Sequence, residues 1–131
     1  MPEGLLGACA APLNFKEIII MGGYSDLTND YSDSAYIFST TTYDWKKKNW
    51  AKIINGPRLD LSCANINWSQ QRYVLIAGGW NNLATNTSEL VSNANQRVES
   101  VTGVLPHKLR STTMAELNSQ PILAGGVICT G

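Results

Sequence analysis

The chain has 131 residues, the size of one ordinary domain, with ten Lys and Arg balanced by ten Asp and Glu. Zero net charge provides no long-range field toward nucleic acid or an anionic membrane, so neither is expected as a partner. A hydrophobic fraction of 44% fits a globular chain, and no apolar run approaches the ~20 residues of a membrane helix.

Taken in order, the elements read as short strands. Leu6 to Ala11, small and apolar, turns at Asn14-Phe15-Lys16 into Glu17-Ile18-Ile19-Ile20-Met21, which ends in Gly22-Gly23. A polar loop, Tyr24 to Ser34, leads to Ala35 through Thr42, β-branched and aromatic as strands are. Lys46-Lys47-Lys48-Asn49 is an expected exposed turn, and Asn49 to Ile54 an alternating fourth strand closed by Asn55-Gly56-Pro57. The order then restarts with Leu61 to Ile66, a turn at Trp68 to Gln71, Arg72 to Ala77, and Gly78-Gly79. It begins a third time with Thr112 to Leu117, a turn at Asn118-Ser119-Gln120, and Pro121 to Ala124 before Gly125-Gly126. No long stretch carries the helical period, so the chain is expected to be all-β.

Two markers keep one period. Gly22, Gly78 and Gly125 are spaced by 56 and 47 residues, and Pro2, Pro57 and Pro106 by 55 and 49. Four short strands in about 50 residues, the second ending in a glycine pair, resembles the kelch repeat. Tyr36 on the third strand, Trp50 opening the fourth and Pro57-Arg58 before the next unit match that family's pattern. The second unit keeps Ser88-Glu89 and Leu105-Pro106 with Arg110 after it, but has Leu90 near the tyrosine place and Val98 near that of the tryptophan. The resemblance implies a partial kelch-type β-propeller of four-stranded antiparallel blades, with residues 1–57 and 58–106 as whole blades and 107–131 as the inner two strands of a third. Ile18 to Met21, apolar at every position, needs cover on both faces, which adjacent blades supply. Closed propellers have typically 4–8 blades, so further blades from the same or another chain are expected. Ile122-Leu123 would otherwise stand beside an unpaired edge.

Chemistry is sparse. Cys9, Cys63 and Cys129 form neither a disulfide framework nor a metal-type pair, and Cys9 and Cys63, at matching places of neighbouring units, are expected to be buried thiols. With no leader pattern in Met1 to Gly4, the odd cysteine count favours the cytoplasm. Asn67-Trp68-Ser69 and Asn86-Thr87-Ser88 fit the glycosylation acceptor pattern, which carries little weight without a leader. His107 is expected to be a solvated loop residue, and Asp26, Asp30 and Asp33 lack calcium-loop spacing and are expected to cap turns. Lys46 to Lys48 between Trp45 and Trp50 suggests a nucleic-acid patch less than a charged guard on a sheet edge. Copper-oxidase propellers need several tyrosines and histidines, and one histidine cannot supply them. No catalytic residue, metal or cofactor is therefore expected.

What remains is binding, and the chain is expected to be a non-catalytic protein-interaction module within a larger adaptor or scaffold, taking another protein or peptide. The resemblance places the loops after the glycine pairs and around the proline-arginine endings on one face. Carried over by position, Tyr24, Ser25, Arg58, Trp80, Asn81, Asn82 and Arg110 are the expected partner-binding residues, with Gly22, Gly23, Tyr36, Trp50, Pro57, Gly78, Gly79, Pro106, Gly125 and Gly126 as structural motif. An arginine there offers a planar donor fork, and Trp80 and Tyr24 rigid aromatic area. Arg58 and Arg110 have an alternative role, hydrogen-bonding carbonyls at unit junctions. Two other readings stand beside this one: a fragment of an oxidase-like or carbohydrate-active propeller, and an inert structural fragment.

Overall fold

The computed structural model describes residues 1–102, 104–118 and 120–128; Cys129 and Ser119 of the expected third turn lie outside the described residues. All regular structure among the described residues is β-strand. The first unit holds β1 (Leu5–Leu6), β2 (Cys9–Asn14), β3 (Glu17–Met21), β4 (Tyr24–Ser25), β5 (Asp30–Tyr31), β6 (Ala35–Ser39) and β7 (Trp45–Lys47). The second holds β8 (Ser62–Trp68), β9 (Gln71–Ala77), β10 (Ser88–Ser92) and β11 (Arg97–Val101). The third holds β12 (Leu109–Arg110), β13 (Thr113–Leu117), β14 (Gln120–Ala124) and β15 (Val127–Ile128).

Two antiparallel four-stranded sheets, ordered β2-β3-β6-β7 and β8-β9-β10-β11, pack face to face, and the β13–β14 hairpin packs on the far side of the second. Strand alternation explains the first interface: Cys9, Ala11 and Leu13 of β2 are buried while Ala10 and Pro12 are exposed. Ile19, Met21 and Ile37 from the first sheet meet Val74, Ile76 and Val91 from the second in one core. Each such side chain contributes roughly 1.5–3 kcal/mol when fully buried. β10 is buried along its whole length, as a strand covered on both faces must be.

The glycine pairs set how the units meet. Gly22 and Gly23 have φ of 72° and 98°, Gly78 and Gly79 of 70° and 115°, and Gly125 and Gly126 of 71° and 101°, a region L side chains avoid. The second glycine of the first two pairs donates its N–H to the next unit, Gly23 to Arg58 O (2.9 Å) and Gly79 to Leu109 O (2.9 Å). A Cβ on Gly22 or Gly78 would sit 2.8 or 2.6 Å from those same carbonyls, whereas one on Gly125 would meet nothing within 4 Å. A second ladder crosses the junctions. Asp60 N–H donates to Gly7 O (2.8 Å) and Ser111 N–H to Asp60 O (3.0 Å), and all three residues have positive φ.

Two expectations about strands are corrected. The third strand stops at Ser39, because its hydroxyl accepts the amides of Thr41 (3.3 Å) and Thr42 (3.2 Å) and turns the chain. The fourth strand is then Trp45–Lys47, pairing Phe38 with Trp45, so Lys46 and Lys47 lie on the outer edge strand itself rather than in a turn. Residues 50–53 form no strand; Ala51 and Ile53 are nevertheless buried, Ile53 N–H bonding to Asp33 O (2.9 Å) in the connector that covers the core. Because Phe38 and Val91 hold matching places in the two sheets, the counterpart of Val98 is Trp45, not Trp50. Trp50 and Val98 both pack, half-buried, against the shared core.

The cysteines are also corrected. Cys9 and Cys63 form a disulfide, with Cα atoms 5.8 Å apart, inside the usual range. Pairing shows why. Cys9 lies opposite Met21 and Ser62 opposite Ala77, each just before its glycine pair, so the counterpart of Cys9 is Ser62 and Cys63 is one residue out of step. Successive strand residues face opposite sides, so Cys9 points forward to the second sheet and Cys63 points back to meet it. The bond removes the ground on which the cysteine count favoured a reducing compartment. It closes a loop of 54 residues, for which chain entropy gives roughly 4 kcal/mol. Urea unfolding of Cys63→Ser is expected to show a loss of about 2–4 kcal/mol, and thiol titration of the unreduced, denatured chain is expected to find one free thiol.

Candidate functional site

The left-handed turns at the glycine pairs send each following loop to the same rim of the stacked sheets. The first loop, expected to be irregular, is ordered as a small sheet, β1-β4-β5. Its tyrosines meet edge to face, Tyr24 and Tyr31 having ring centroids 5.5 Å apart at 86°, and Tyr24 donates its hydroxyl to Asn29 O (2.8 Å). In the second loop Trp80 bridges the backbones of Leu59 and Ala84, and Asn82 takes a left-handed conformation with φ of 61°. The two loops are joined where the Tyr31 hydroxyl donates to Asn82 Oδ1 (3.3 Å). From the third unit the Arg110 guanidinium lies 4.6 Å from the centroid of the Trp80 ring, a cation–π contact.

Tyr24, Tyr31, Asn82, Trp80 and Arg110 thus form one continuous row across all three units. Asn81 and Asn82 are exposed, Tyr24, Trp80 and Arg110 half-buried, and Leu83 beside them is 61% exposed. Asn81 Nδ2 donates to Pro57 O (2.6 Å), at the mouth of a recess of about 410 Å³ that Thr85 and Lys108 also line. The Arg110 Nε is buried without a hydrogen-bond partner, and among the described residues no carboxylate pairs with its guanidinium. Tyr31 was not among the expected residues; its signal was aromaticity inside an otherwise polar loop.

Two expected residues are buried away from the row. Arg58 is 2% exposed: its guanidinium pairs with both carboxylate oxygens of Glu89 (NH1 3.0 Å, NH2 2.6 Å), and its Nε donates to Gly78 O (2.5 Å). It thus takes the alternative role, bonding a carbonyl at a unit junction, with an ion pair added. Register again gives the reason. Gly23 bonds to Arg58 O and Gly79 to Leu109 O, so the counterpart of Arg58 is the buried Leu109, while Arg110 matches Leu59 and points the other way. Ser25 is 1% exposed; its hydroxyl donates to Glu3 and accepts the amides of Leu27 (3.1 Å) and Thr28 (3.3 Å), which makes it a turn residue.

Glu3, also not anticipated, ties the first unit together. Its carboxylate accepts hydrogen bonds from the Ser25 and Tyr36 hydroxyls, which hold its pKa below the ordinary 4.5. Burial, with the Glu3 hydrogen bond added, pushes the Tyr36 phenol up to about 12. The three loop aspartates serve separate backbones: Asp26 accepts the Gly4 amide (2.8 Å), Asp30 that of Tyr31 (2.8 Å), and the Asp33 carbonyl that of Ile53. No group of three or more His, Cys, Asp or Glu among the described residues could hold a metal ion. His107 is exposed.

No protein-family model matches the chain, and no curated protein sequence matches it. Among solved structures, that of YjhT superposes with a TM-score of 0.75 at 17% identity, covering 95% of this chain and 35% of that one. The chain therefore spans about a third of YjhT's length, and at that identity the likeness is one of fold.

Removing one member of a fully desolvated pair leaves the other charge buried, so Arg58→Ala is expected to cost about 3–5 kcal/mol in urea unfolding. The Glu3–Tyr36 contact adds a pH signature. A depressed Glu3 stabilises the fold above pH 4.5 and loses that contribution as the pH falls further, and a raised Tyr36 stabilises it below pH 10 and loses that contribution as the pH climbs toward 12. Tyr36→Phe is expected to flatten the alkaline decline and weaken the acid one, read from unfolding midpoints across pH.

Proposed function

We propose that the chain is a segment of a kelch-type β-propeller, two four-stranded blades and the inner half of a third, that works as a non-catalytic protein-interaction module. The fold reading is supported by the in-phase glycine pairs, each turning through positive φ, and by the ladder through Gly7, Asp60 and Ser111 that steps from unit to unit. The functional reading rests on one observation: a guanidinium lying over the Trp80 ring at the rim with, among the described residues, no carboxylate paired to it. Contact through its face leaves the terminal Nη1–Nη2 edge of the guanidinium, though not the buried Nε, for a planar bidentate acceptor. The partner is therefore a peptide segment bearing an Asp or Glu side chain, with apolar or aromatic neighbours to lie on Tyr24, Trp80 and Leu83.

A peptide-display library panned against the chain is expected to enrich acidic residues next to apolar ones. For an enriched peptide, Arg110→Ala and Trp80→Ala are each expected to weaken binding at least about tenfold, which is 1.4 kcal/mol. Arg110→Lys, unable to present the planar fork, is expected to recover only part of it. Enrichment without acidic preference, or unchanged affinity in Arg110→Ala, would overturn the reading.

A further inference from the structure

Two patterns singled out in the sequence take no part in the rim: the glycan-acceptor triplets Asn67-Trp68-Ser69 and Asn86-Thr87-Ser88. The Cys9–Cys63 bond gives them weight. A disulfide joining two sheets of the core forms and lasts in oxidising surroundings, chiefly the secretory route and the cell exterior. Oligosaccharide is attached to asparagine on that same route, and, being bulky and polar, it stays on the surface.

The fold treats the two triplets differently. Asn67 lies on β8 opposite Arg72, on the side taken by Asn65, whose amide donates to Pro12 O of the first sheet. A branched sugar there would lie against the end of the interface between the sheets, where Pro12, Asn14, Phe15 and Arg72 wall a recess of about 350 Å³. Asn86 is exposed, in the irregular stretch between Thr85 and β10. The Thr85 and Thr87 hydroxyls bond each other (2.8 Å), and the Thr87 amide donates to Thr85 Oγ1 (3.1 Å). Those two side chains therefore share one side, and Asn86 takes the other. Thr85 lines the recess beside Asn81, so a group carried on Asn86 leaves that recess open.

Ser88 adds a second, independent observation. It opens β10, is 1% exposed, and among the described residues its Oγ has no hydrogen-bond partner. A buried hydroxyl left unbonded costs free energy. The fold does not call for it: Ser88 lies opposite Ala77, and the matching place of the first sheet, opposite Met21, is filled by Ala35. What the hydroxyl does serve is the acceptor triplet, whose third residue must be Ser or Thr.

From this we infer that Asn86 is an N-glycosylation site, loaded while the second unit is still unfolded. The co-reactant is a lipid-diphosphate-linked oligosaccharide. The Asn86 Nδ2 attacks the anomeric carbon of its first sugar; the carbon–nitrogen bond forms, the carbon–oxygen bond breaks with its electron pair going to the lipid diphosphate, and the amide loses one proton to solvent. The triplet must be reachable with its Ser88 hydroxyl, which the finished sheet buries, so transfer precedes folding. Pairing of β10 then encloses Ser88 and leaves the sugar outside. The inference does not rest on what the rim binds.

The test directs the whole chain through the secretory route of cultured animal cells behind an added signal sequence, and reads the chain both in the medium and inside the cells. Peptide-N-glycosidase is expected to shift its gel mobility and to leave an aspartate at position 86, found by peptide mass spectrometry. The denatured, unreduced protein is expected to hold one free thiol. Asn86→Gln and Ser88→Ala are each expected to remove the sugar from this position, and Ser88→Thr to keep it. An unmodified Asn86, or sugar on Asn67 alone, would overturn the inference. So would three free thiols in the product, since the bond that argues for an oxidising compartment would then be missing.

Discussion

At each complete junction the chain makes a left-handed turn so tight that the next unit's carbonyl rests where a side chain would begin. Gly22 against Arg58 O and Gly78 against Leu109 O leave no room for a Cβ, and the neighbouring glycine amide binds that same oxygen. Because a backbone carbonyl cannot be moved without moving its strand, this contact fixes the height and phase of one unit on the next. Three consequences descend from it. The connector is anchored so that Ala51 and Ile53 seal the core, the inner strands β2 and β8 face each other, and the loops after the glycines emerge on one rim.

The two junctions are secured differently. Between the first and second sheets lie the disulfide and the Arg58–Glu89 pair, the latter with both side chains almost wholly removed from water. A buried ion pair contributes little net stability, but a displaced register would leave two charges unpaired, so its role here is to specify one alignment. Between the second and third units, Leu109 stands in place of the arginine, and the side-chain polar links include Ser62 with Thr112 and Ser111 with Asp60. That junction lacks a buried ion pair among the described residues, and it borders an open groove.

The repeat was legible because its paired glycines are demanded by backbone geometry and the prolines keep the same period. The hairpin turns were legible for the same reason; Ser69 and Gln70, with φ of 51° and 64°, turn where the polar cluster stood. What stayed hidden depends on single-residue register. The Cys9–Cys63 bond and the opposite fates of Arg58 and Arg110 all follow from one-residue offsets, which reverse the face a side chain takes and leave spacing almost unchanged. The lysine strand was hidden for another reason: Lys46 and Lys47 have weak strand preference, and only the Ser39-capped turn and the Phe38–Trp45 contact place them on an edge. Of the expected rim, Tyr24, Trp80, Asn82 and Arg110 come together, while Ser25 and Arg58 serve the scaffold.

The separation of scaffold from rim has a physical basis in how each is held. Arg58 spends its side-chain donors on Glu89 and on the carbonyls of Gly78 and Gly56, all within the protein, and a change there propagates into the sheet interface. The rim is held by backbone, through the Trp80 amide and carbonyl to Leu59 and the Leu109 amide to Thr85 O, with side-chain bonds from Tyr24 to Asn29 O and from Asn81 to Pro57 O. Trp80 and Arg110 contact each other, and the first two loops are joined by the 3.3 Å side-chain bond of Tyr31 with Asn82. Partly exposed side chains held in this way can change at less cost to the fold than the buried Arg58. That difference is why the rim residues, unlike the glycines, leave no periodic trace in the chain, and it is compatible with the recognition role proposed for them.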